Sequence, residues 1–234
     1  MSRIRDVAVA LAWLLPSGAV KRAVLRPFGH VLAADAVARP NLVWRVDRVE
    51  LAAGARIGRF NGLKQLRLVS LGEGASLGNY NTVSTAPAYR RYFPDGSHLT
   101  LAPRSGITSR HTFDCSGGIT LDELALVAGR DSLFLTHSLD LKRDAQTTAP
   151  IVVGARTFVS TRCTVLGGAR VPSRSVVAAG AVVTRARDDQ DPGLYGGVPA
   201  RRIGDVDGAW FERSTGSTRR LYLPATDETV ERAF

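Results

Sequence analysis

The sequence is poor in the residues on which several protein classes depend. Its 234 residues include two cysteines, Cys115 and Cys163, and this excludes a small disulfide-stabilised domain and favours a reducing, cytoplasmic environment. No apolar run approaches the about 20 residues that a membrane-spanning helix needs. Lysine occurs only as Lys21, Lys64 and Lys142, so arginine carries nearly all of the formal net charge of +10.

A basic chain can bind nucleic acid, an acidic membrane or a phosphorylated small ligand. The sequence has no aromatic-rich basic stripe and no recognisable nucleic-acid-binding module, so we expect no nucleic-acid partner. Gly-x-Ser-x-Gly and Gly-Lys-Thr motifs are also lacking, which argues against a serine hydrolase elbow and a nucleotide-binding P-loop. With 44% hydrophobic residues, the chain can still bury a sizeable core.

The chain between residues 153 and 184 repeats every six residues, a period that neither an α-helix nor a simple strand alternation requires. Four residues after each of the first five repeating valines comes a small side chain. This pattern predicts a backbone that turns a corner every six residues and stacks on itself, which is a parallel β-helix of triangular section. The repeating valines are Val153, Val159, Val165, Val171, Val177 and Val183, and the small residues are Thr157, Cys163, Ala169, Ser175 and Ala181.

The same period can be followed from Val31 onward, which predicts about seven coils over residues 31–188. One predicted inward column contains Phe113, Leu133 and Val165. Residues that break the period are expected to leave the column, in short excursions and in two longer loops. The short excursions are expected at 49–50, 69–70 and 119–120, and the loops at 89–100 and 139–152.

Residues 1–30 are predicted to form a helical cap over the open end of the β-helix, with at most weak peripheral membrane contact. Apolar residues from Ile4 to Leu15 lie on one helical face, which we expect to pack inward. Pro16 would end this helix and Ser17 could cap a second one. The expected inward residues are Ile4, Val7, Ala8, Leu11, Leu14 and Leu15, then Val20, Ala23, Val24 and Phe28.

Three asparagines, Asn41, Asn61 and Asn81, share one corner position and are expected to stack. Asparagine tolerates the tight corner conformation and can bond to the neighbouring coil. His111 occupies the same position one coil later, where it could either continue the ladder or face an acceptor.

Two segments resemble the hexapeptide-repeat acyltransferases, the family of galactoside, maltose and serine acetyltransferases. They are VSTRCTVLGGARVPSRSVVAAGAVVT at residues 159–184 and LYGGVPARRI at residues 194–203. The resemblance implies an all-β fold, a left-handed parallel β-helix, and usually a homotrimer. It implies transfer of an acyl group from coenzyme A to a hydroxyl or amine. The left hand follows from the family alone, because the spacing does not choose a hand.

His137 is the candidate general base, because acyl transfer to a hydroxyl needs a group that accepts a proton near pH 7. Counting from Leu133 places it in a slot held by Gly117 one coil earlier and Ala169 one coil later. The segment 135–140, LTHSLD, also resembles the catalytic histidine segment of the family. The alternative is a histidine with a purely structural bond at a corner. Candidates for orienting the base or binding the acceptor are Asp114, Asp140 and His111.

The resemblance places the co-substrate, acetyl-coenzyme A or another acyl-coenzyme A, along Thr161, Ala179 and Thr184. It also aligns Arg201 with a phosphate-contacting arginine, which Arg202 could assist. Residues 189–234 would then form a coenzyme-covering loop and a tail, with a short acidic helix at 227–234. No metal is expected, because the paired histidines of the zinc-binding γ-type carbonic anhydrases are missing.

These features predict an acyl-coenzyme A dependent O-acyltransferase, an acetyltransferase in the first instance. The acceptor would be a small-molecule or saccharide hydroxyl, as in a sugar, a polysaccharide precursor or a natural product. Two alternatives stay open, an N-acyltransferase acting on an amino sugar and a non-catalytic β-helix scaffold.

Overall fold

The computed structural model describes residues 3–185 and 191–232. The domain boundary expected at 188–189 lies outside these residues. The helices are α1 (Arg3–Leu14), α2 (Ala19–Leu25) and α3 (Pro87–Tyr92), with 3-10 turns at Arg26–Phe28 and Ala209–Glu212. The strands are β1 (Val31–Leu32), β2 (Val37–Ala38), β3 (Leu42–Trp44), β4 (Arg48–Leu51), β5 (Arg56–Ile57), β6 (Gly62–Lys64), β7 (Leu68–Leu71), β8 (Ser76–Leu77), β9 (Thr82–Ser84), β10 (His98–Leu101), β11 (Gly106–Ile107), β12 (Thr112–Asp114), β13 (Ile119–Leu121), β14 (Leu126–Val127), β15 (Leu133–Leu135), β16 (His137–Asp140), β17 (Ala145–Thr148), β18 (Ile151–Val153), β19 (Phe158–Val159), β20 (Thr164–Leu166), β21 (Arg170–Val171), β22 (Val176–Val177), β23 (Val182–Val183), β24 (Leu194–Gly197), β25 (Ala200–Gly204), β26 (Leu221–Leu223) and β27 (Glu228–Val230).

Three sheets run the length of the molecule, and the chain visits them in turn. The first sheet has the order β1-β4-β7-β10-β13-β18-β21, the second β2-β5-β8-β11-β14-β19-β22-β24-β25, and the third β3-β6-β9-β12-β15-β20-β23. Neighbours within these coils pair in parallel, as β12 does with β9 and β15. This arrangement confirms the predicted all-β fold class, a parallel β-helix.

The core is the axis of this three-sided column. Val153, Val159, Val165 and Val177 are fully buried, and so are the small corner residues from Thr157 to Ser175. Small side chains fit there because two sheets meet at each corner and leave little room. Burying each aliphatic side chain contributes about 1.5–3 kcal/mol, so the column is the main source of stability.

The predicted register was wrong by one residue in the first coil, where Ala38 rather than Val37 also pairs with Ile57, and in the third sheet. In the first coil Leu32, not Val31, pairs with Leu51. In the third sheet Phe134, not Leu133, lies between Phe113 and Val165. Phe134 is fully buried and its ring stacks on that of Phe113 at 4.7 Å. With Phe134 facing inward, two stacked aromatic rings fill more of the core than Phe113 and Leu133 would. This difference favours the observed register.

The short excursions expected at 49–50, 69–70 and 119–120 were also wrong, because these residues belong to strands of the first sheet. Val49 and Val69 are buried, as Leu51 and Leu71 are. Each of these strands therefore sends two side chains to the core, and the first side of the column is longer than six residues. The two longer loops do leave the column and contain α3 and the hairpin β16–β17, but both end earlier than predicted, since residues 98–100 and 151–152 belong to β10 and β18 of the first sheet.

The N-terminal helices lie over the first coil with the opposite face to the one predicted. Trp13 and Leu25 are fully buried, whereas Ile4, Leu11 and Val20 are exposed. The open end of a β-helix presents backbone carbonyls that need hydrogen-bond donors, and this requirement explains the difference. Buried Lys21 donates to the carbonyls of Trp13, Leu15, Ala38 and Arg39 at 2.7–3.1 Å, and burial lowers its pKa to about 8.

The asparagine ladder lies where the chain passes from the second sheet to the third, an edge we call the ladder edge. The side-chain oxygen of Asn41 accepts from the Asn61 amide at 2.7 Å, and that of Asn61 accepts from the Asn81 amide at 2.8 Å. His111 continues the series, because its backbone amide donates to Asn81 at 2.9 Å.

The C-terminal segment does not form the expected acidic helix at 227–234. Within the described part of this segment, β26 and β27 make an antiparallel hairpin. Upstream, Trp210 packs edge-on against Phe158 at 5.6 Å, so this segment folds back on the outer face of the second sheet. No helix in the described ranges is long and apolar enough to cross a membrane.

Candidate active site

His137 lies where the chain passes from the third sheet back to the first, an edge we call the dyad edge. Strand β15 ends at Leu135, which is paired with Asp114 of β12. Two residues later the chain leaves the column at His137 and enters the hairpin, in which His137 pairs with Thr148. The imidazole and the Asp114 carboxylate thus come from adjacent coils.

The Nδ1 atom of His137 lies 2.8 Å from Oδ2 of Asp114, and the His137 backbone amide donates to the same oxygen at 3.1 Å. The imidazole is 46% exposed and the carboxylate 13%. Within the described chain Nε2 makes no hydrogen bond. A carboxylate on Nδ1 holds the proton there and leaves Nε2 as an open acceptor, which is the form that a general base requires.

Asp114 is held by more donors than the sequence suggested. Ser116 donates to Oδ1 at 2.6 Å, and Thr136 donates to Oδ2 from its amide at 3.1 Å and from its hydroxyl at 2.9 Å. Burial alone would raise the pKa of Asp114, but the hydrogen bonds from Ser116, His137 and Thr136 outweigh it and lower the pKa. The carboxylate therefore stays ionised beside the imidazole.

The slot predicted for His137, between Gly117 and Ala169, was wrong. It rested on Leu133 as the inward residue, whereas Phe134 occupies that place. Gly117 instead lies beside Thr136, whose hydroxyl accepts from the Gly117 amide at 2.8 Å. Continuing the observed register, His137 follows the series of Ser116 rather than that of Gly117.

Two segments flank the imidazole, and the sequence did not identify their contacts. The ring of Tyr89, in α3, lies 5.7 Å from that of His137. The Tyr89 hydroxyl donates to Oε1 of Gln146 in β17 at 2.8 Å. Tyr89 comes from a loop without periodicity, so no sequence signal placed it there. Thr136 and Ser116 could have been identified from the sequence, since each lies within two residues of a candidate site residue, His137 or Asp114.

Asp140 and His111 do not meet this pair of side chains. Asp140 accepts from the backbone amides of Lys142 and Arg143 at 3.0 and 3.2 Å, so it closes the turn of its own hairpin. His111 is buried in the ladder, where Nδ1 accepts from the Ser132 amide at 3.2 Å. Burial lowers the pKa of His111 to about 4, against opposing effects from Asp131 and a backbone bond to Gly129.

The three residues predicted to line pantetheine do not share one edge. Thr161 and Ala179 lie on the ladder edge, between strands of the second and third sheets. Thr184 follows β23 on the dyad edge, two coils beyond His137. Ala179 is exposed and Thr161 half-buried, and the Thr161 hydroxyl donates to the Arg130 carbonyl at 2.8 Å. The ladder edge and the imidazole therefore lie on opposite margins of the third sheet.

Arg201 and Arg202 lie in β25, which joins the second sheet beyond its last coil. Both are exposed, but their surroundings differ. Arg202 is paired with Asp205 and donates to the Pro192 carbonyl at 2.9 Å. Within the described residues, the Arg201 side chain bonds only to the Ala200 carbonyl, at 2.9 Å. Arg201 is thus the more available of the two for an anionic ligand.

Neither cysteine has the setting of a nucleophile. Burial raises the pKa of Cys115 well above its usual range, and the charge of Asp114 adds to this effect. Burial also raises the pKa of Cys163. Among residues 3–185 and 191–232 there is no group of three or more His, Cys, Asp or Glu side chains that could hold a metal ion.

No model of a known protein family matches the chain, and no curated protein does. Solved structures do match. The S84C mutant of AntD, an N-acyltransferase from Bacillus cereus, is 14% identical over 74% of this chain and 83% of its own, with a TM-score of 0.50. The hexapeptide-repeat acetyltransferase VCA0836 from Vibrio cholerae is 16% identical over 88% and 87%, with a TM-score of 0.43. A maltose O-acetyltransferase from Clostridium difficile is 11% identical over 88% and 90%, with a TM-score of 0.37.

At these identities the likeness to AntD shows a shared fold. The shared fold is the parallel β-helix that the sequence predicted.

Proposed function

We propose that this protein is an acyl-coenzyme A dependent O-acyltransferase, acting with acetyl-coenzyme A in the first instance. The acceptor would be a hydroxyl of a sugar, a polysaccharide precursor or a natural product. The observation that carries the proposal is the His137–Asp114 contact of 2.8 Å, with Nε2 open at the surface. By contrast, the buried His111 has both ring nitrogens bonded, to Ser132 and Thr108.

In this mechanism the acceptor oxygen attacks the thioester carbonyl carbon while Nε2 of His137 takes the hydroxyl proton. Backbone amides near the groove stabilise the oxyanion of the tetrahedral intermediate. The carbon–sulfur bond then breaks, and the proton passes from His137 to the coenzyme A thiolate. Asp114 stabilises the imidazolium between these steps, and no covalent enzyme intermediate is needed.

Coenzyme A would run along the ladder edge, past Thr161 and Ala179, with its phosphates near Arg201 and with Arg202 assisting. Thr184 would line the groove from the dyad edge. In register, Thr161 lies about seven residues from the position of His137, or up to roughly 23 Å along the third sheet at about 3.3 Å per residue. One chain therefore does not bring these residues to the imidazole, which supports a homotrimer whose neighbouring copies each supply one edge.

The proposal assigns the base to residues 31–188 and the coenzyme cover to residues 189–234, with residues 1–30 as a cap. The two unpaired, buried cysteines support a cytoplasmic location. An N-acyltransferase acting on an amino sugar is the second candidate. It is favoured by the fold match, because AntD is an N-acyltransferase in complex with dTDP-4-amino-4,6-dideoxyglucose and coenzyme A.

The test is acyl transfer from acetyl-coenzyme A to paired hydroxyl and amino acceptors, followed by free thiol release and mass analysis of products. His137→Ala should lower turnover by about 10²–10⁴ while the oligomer persists. Ser138→Ala, one residue along the same hairpin strand, serves as the control. Near-normal activity of His137→Ala would reject the assignment of the base. No binding of acetyl-coenzyme A by calorimetry would favour a non-catalytic scaffold.

A further inference from the structure

A cavity lies on the dyad edge, nearer the N-terminal end of the column than His137. Its volume is about 540 Å³, and it lies between the cap, the first coils and α3. Its walls are Asp6 of α1, the corner residues Arg45, Gln65 and Arg67, and Pro87, Arg90 and Arg91 of α3. None of these residues was assigned a role above.

The cavity carries more positive than negative charge. Arg45 pairs with Asp6 at 3.2 Å, and Arg90 pairs with Asp47 at 2.5 Å. The other two guanidinium groups, those of Arg67 and Arg91, have no carboxylate partner among the described residues. Two positive charges are therefore left without a counter-charge at this site.

Two polar groups in the wall also lack partners. Gln65 is only 9% exposed, and its side-chain amide makes no hydrogen bond within the described residues. The Nε atom of Arg67 is buried without an acceptor, although its Nη2 donates to the Arg90 carbonyl at 2.6 Å. Leaving the buried Nε donor of Arg67 without an acceptor costs about 1–3 kcal/mol. A ligand with several oxygen acceptors would accept from this group and from the Gln65 amide.

We propose that this cavity binds a phosphate or diphosphate ester carried by the acyl acceptor, an inference that rests on the proposed function. Guanidinium groups match phosphate oxygens in a planar, bidentate geometry. The carboxylates of Asp6 and Asp47 hold Arg45 and Arg90 in place and leave Arg67 and Arg91 for the ligand.

The position of the cavity defines the shape of the acceptor. Gln65 and His137 lie on the same edge three coils apart, which is about 15 Å at a strand spacing of about 4.8 Å. Helix α3 links the two places, since Tyr89 contacts His137 and the next residue, Arg90, lines the cavity. The acceptor would thus be elongated, with its reacting group separated from its phosphate by about 15 Å, a span of three strand spacings and longer than a single sugar ring.

Binding can be tested without acyl transfer, by calorimetry of the full chain with inorganic pyrophosphate. Wild type and His137→Ala should bind equally, and Arg91→Glu should bind at least tenfold more weakly. Arg59→Glu, the same charge change on an exposed arginine at the ladder edge, should have no effect. Absence of binding, or equal weakening by both glutamate variants, would overturn the proposal. Because His137→Ala is expected to bind, failure of the proposed chemistry would be seen separately.

The source of the phosphate is distinguished by competition. A soluble sugar nucleotide, UDP-glucose, and vesicles containing phosphatidic acid are each added to the pyrophosphate complex. Displacement by the first identifies a nucleotide-linked acceptor, and displacement by the second identifies a lipid-linked one. If neither UDP-glucose nor the phosphatidic acid vesicles displaced pyrophosphate at millimolar concentrations of their phosphate groups, the proposal of a phosphate ester ligand would be contradicted.

The cap carries a separate observation, an exposed apolar face. Spacings of three, four and three residues put its α1 members on one helical stripe, and α2 extends it. The exposed fractions are 81% for Ile4, 44% for Val7, 61% for Leu11, 49% for Leu14, 71% for Val20 and 40% for Val24.

Charges around this face have one sign. Arg3 and Arg26 are exposed and Arg22 is half-buried. The single carboxylate of residues 3–29, Asp6, is buried and paired with Arg45. A second copy of the chain meeting this face would bring arginine against arginine. An anionic lipid surface offers both the apolar phase and the opposite charge.

We infer that the cap docks peripherally on anionic membranes. Co-sedimentation should show binding to vesicles of phosphatidylglycerol and at least tenfold weaker binding to phosphatidylcholine alone. The double variant Ile4→Ser/Leu11→Ser should lose at least tenfold in affinity. Leu221→Ser/Val230→Ser, in the exposed hairpin of the tail, should not. Equal binding by the cap variant, or a concentration-dependent dimer that the cap variant abolishes, would overturn the inference.

Discussion

The hydroxyl of Tyr89 donates a 2.8 Å hydrogen bond to Oε1 of Gln146 and so joins the two segments that leave the column on either side of His137. Burial raises the pKa of Tyr89, and the nearby charge of Asp114 raises it further. The hydroxyl therefore remains protonated and able to donate throughout the neutral range. This bond holds helix α3 and the β16–β17 hairpin together beside His137.

Tyr89→Phe should lower kcat/KM for the acceptor by about threefold to tenfold, because a single hydrogen bond contributes about 0.5–1.5 kcal/mol. The thermal midpoint should change little, since the column is untouched. Hydrogen exchange in the 137–148 hairpin should accelerate. Tyr92→Phe, on the same helix but exposed, is the matched control. Unaltered exchange and kinetics in Tyr89→Phe would show that the bond does not position the site.

Asp114→Asn tests the charge beside the imidazole while keeping a side-chain oxygen for its donors. Turnover should fall, by less than the about 10²–10⁴ expected for His137→Ala. The KM for acyl-coenzyme A should stay constant, because Thr161 and Ala179, the residues proposed to line the coenzyme, lie on the other edge of the third sheet. Unchanged turnover in Asp114→Asn would show that the Asp114 charge does not support the base.

The sequence predicted the fold well because the six-residue period is a property of the core itself. The repeating valines from Val153 to Val177 all face the axis of the column. Their spacing in the sequence therefore gives the number of residues on each side of a coil. Period alone could not choose between Leu133 and Phe134, because both are apolar and adjacent; ring stacking on Phe113 made that choice.

The cap shows where amphipathic patterning misleads. An apolar stripe ordinarily faces the core, but the open end of this column needed donors and a large plug. Lys21 and Trp13 supplied them, and the stripe was left outside. The sequence predicted part of the candidate site. His137 and Asp114 were predicted because they lie at repeating positions of the column, whereas Tyr89 was missed because it lies in a loop without the repeat.

His111→Asn should make the protein less sensitive to acid. The pKa of His111 is about 4 in the folded chain, below the ordinary value of 6.5. As pH falls from 6.5 to 4, the unfolded chain takes up this proton first, so the free energy of unfolding decreases over that window. Asparagine in the same ladder position can accept from Ser132 and does not titrate. Urea midpoints at pH 7.0, 5.5 and 4.5 measure the effect.

The pH dependence of the urea midpoint should be shallower for His111→Asn than for wild type, and steeper for the reciprocal change Asn81→His. His30, also buried with a pKa lowered to about 4, should account for part of what remains. Parallel curves for wild type and His111→Asn would mean that His111 is not the titrating group.

Arg201→Ala should weaken coenzyme A binding about tenfold and leave the KM for the acceptor unchanged, because its guanidinium is exposed and held only by a local bond. Arg202→Ala should have a smaller effect, since Asp205 already neutralises that side chain. Calorimetry with coenzyme A at 50 and 300 mM salt gives the measurement, with Arg219→Ala as the control. The difference between wild type and Arg201→Ala should shrink at high salt, as charge–charge attraction is screened. If Arg202→Ala proved the more damaging, the Asp205 pair would have to open on binding, and the phosphates would lie nearer Pro192 than Gly196.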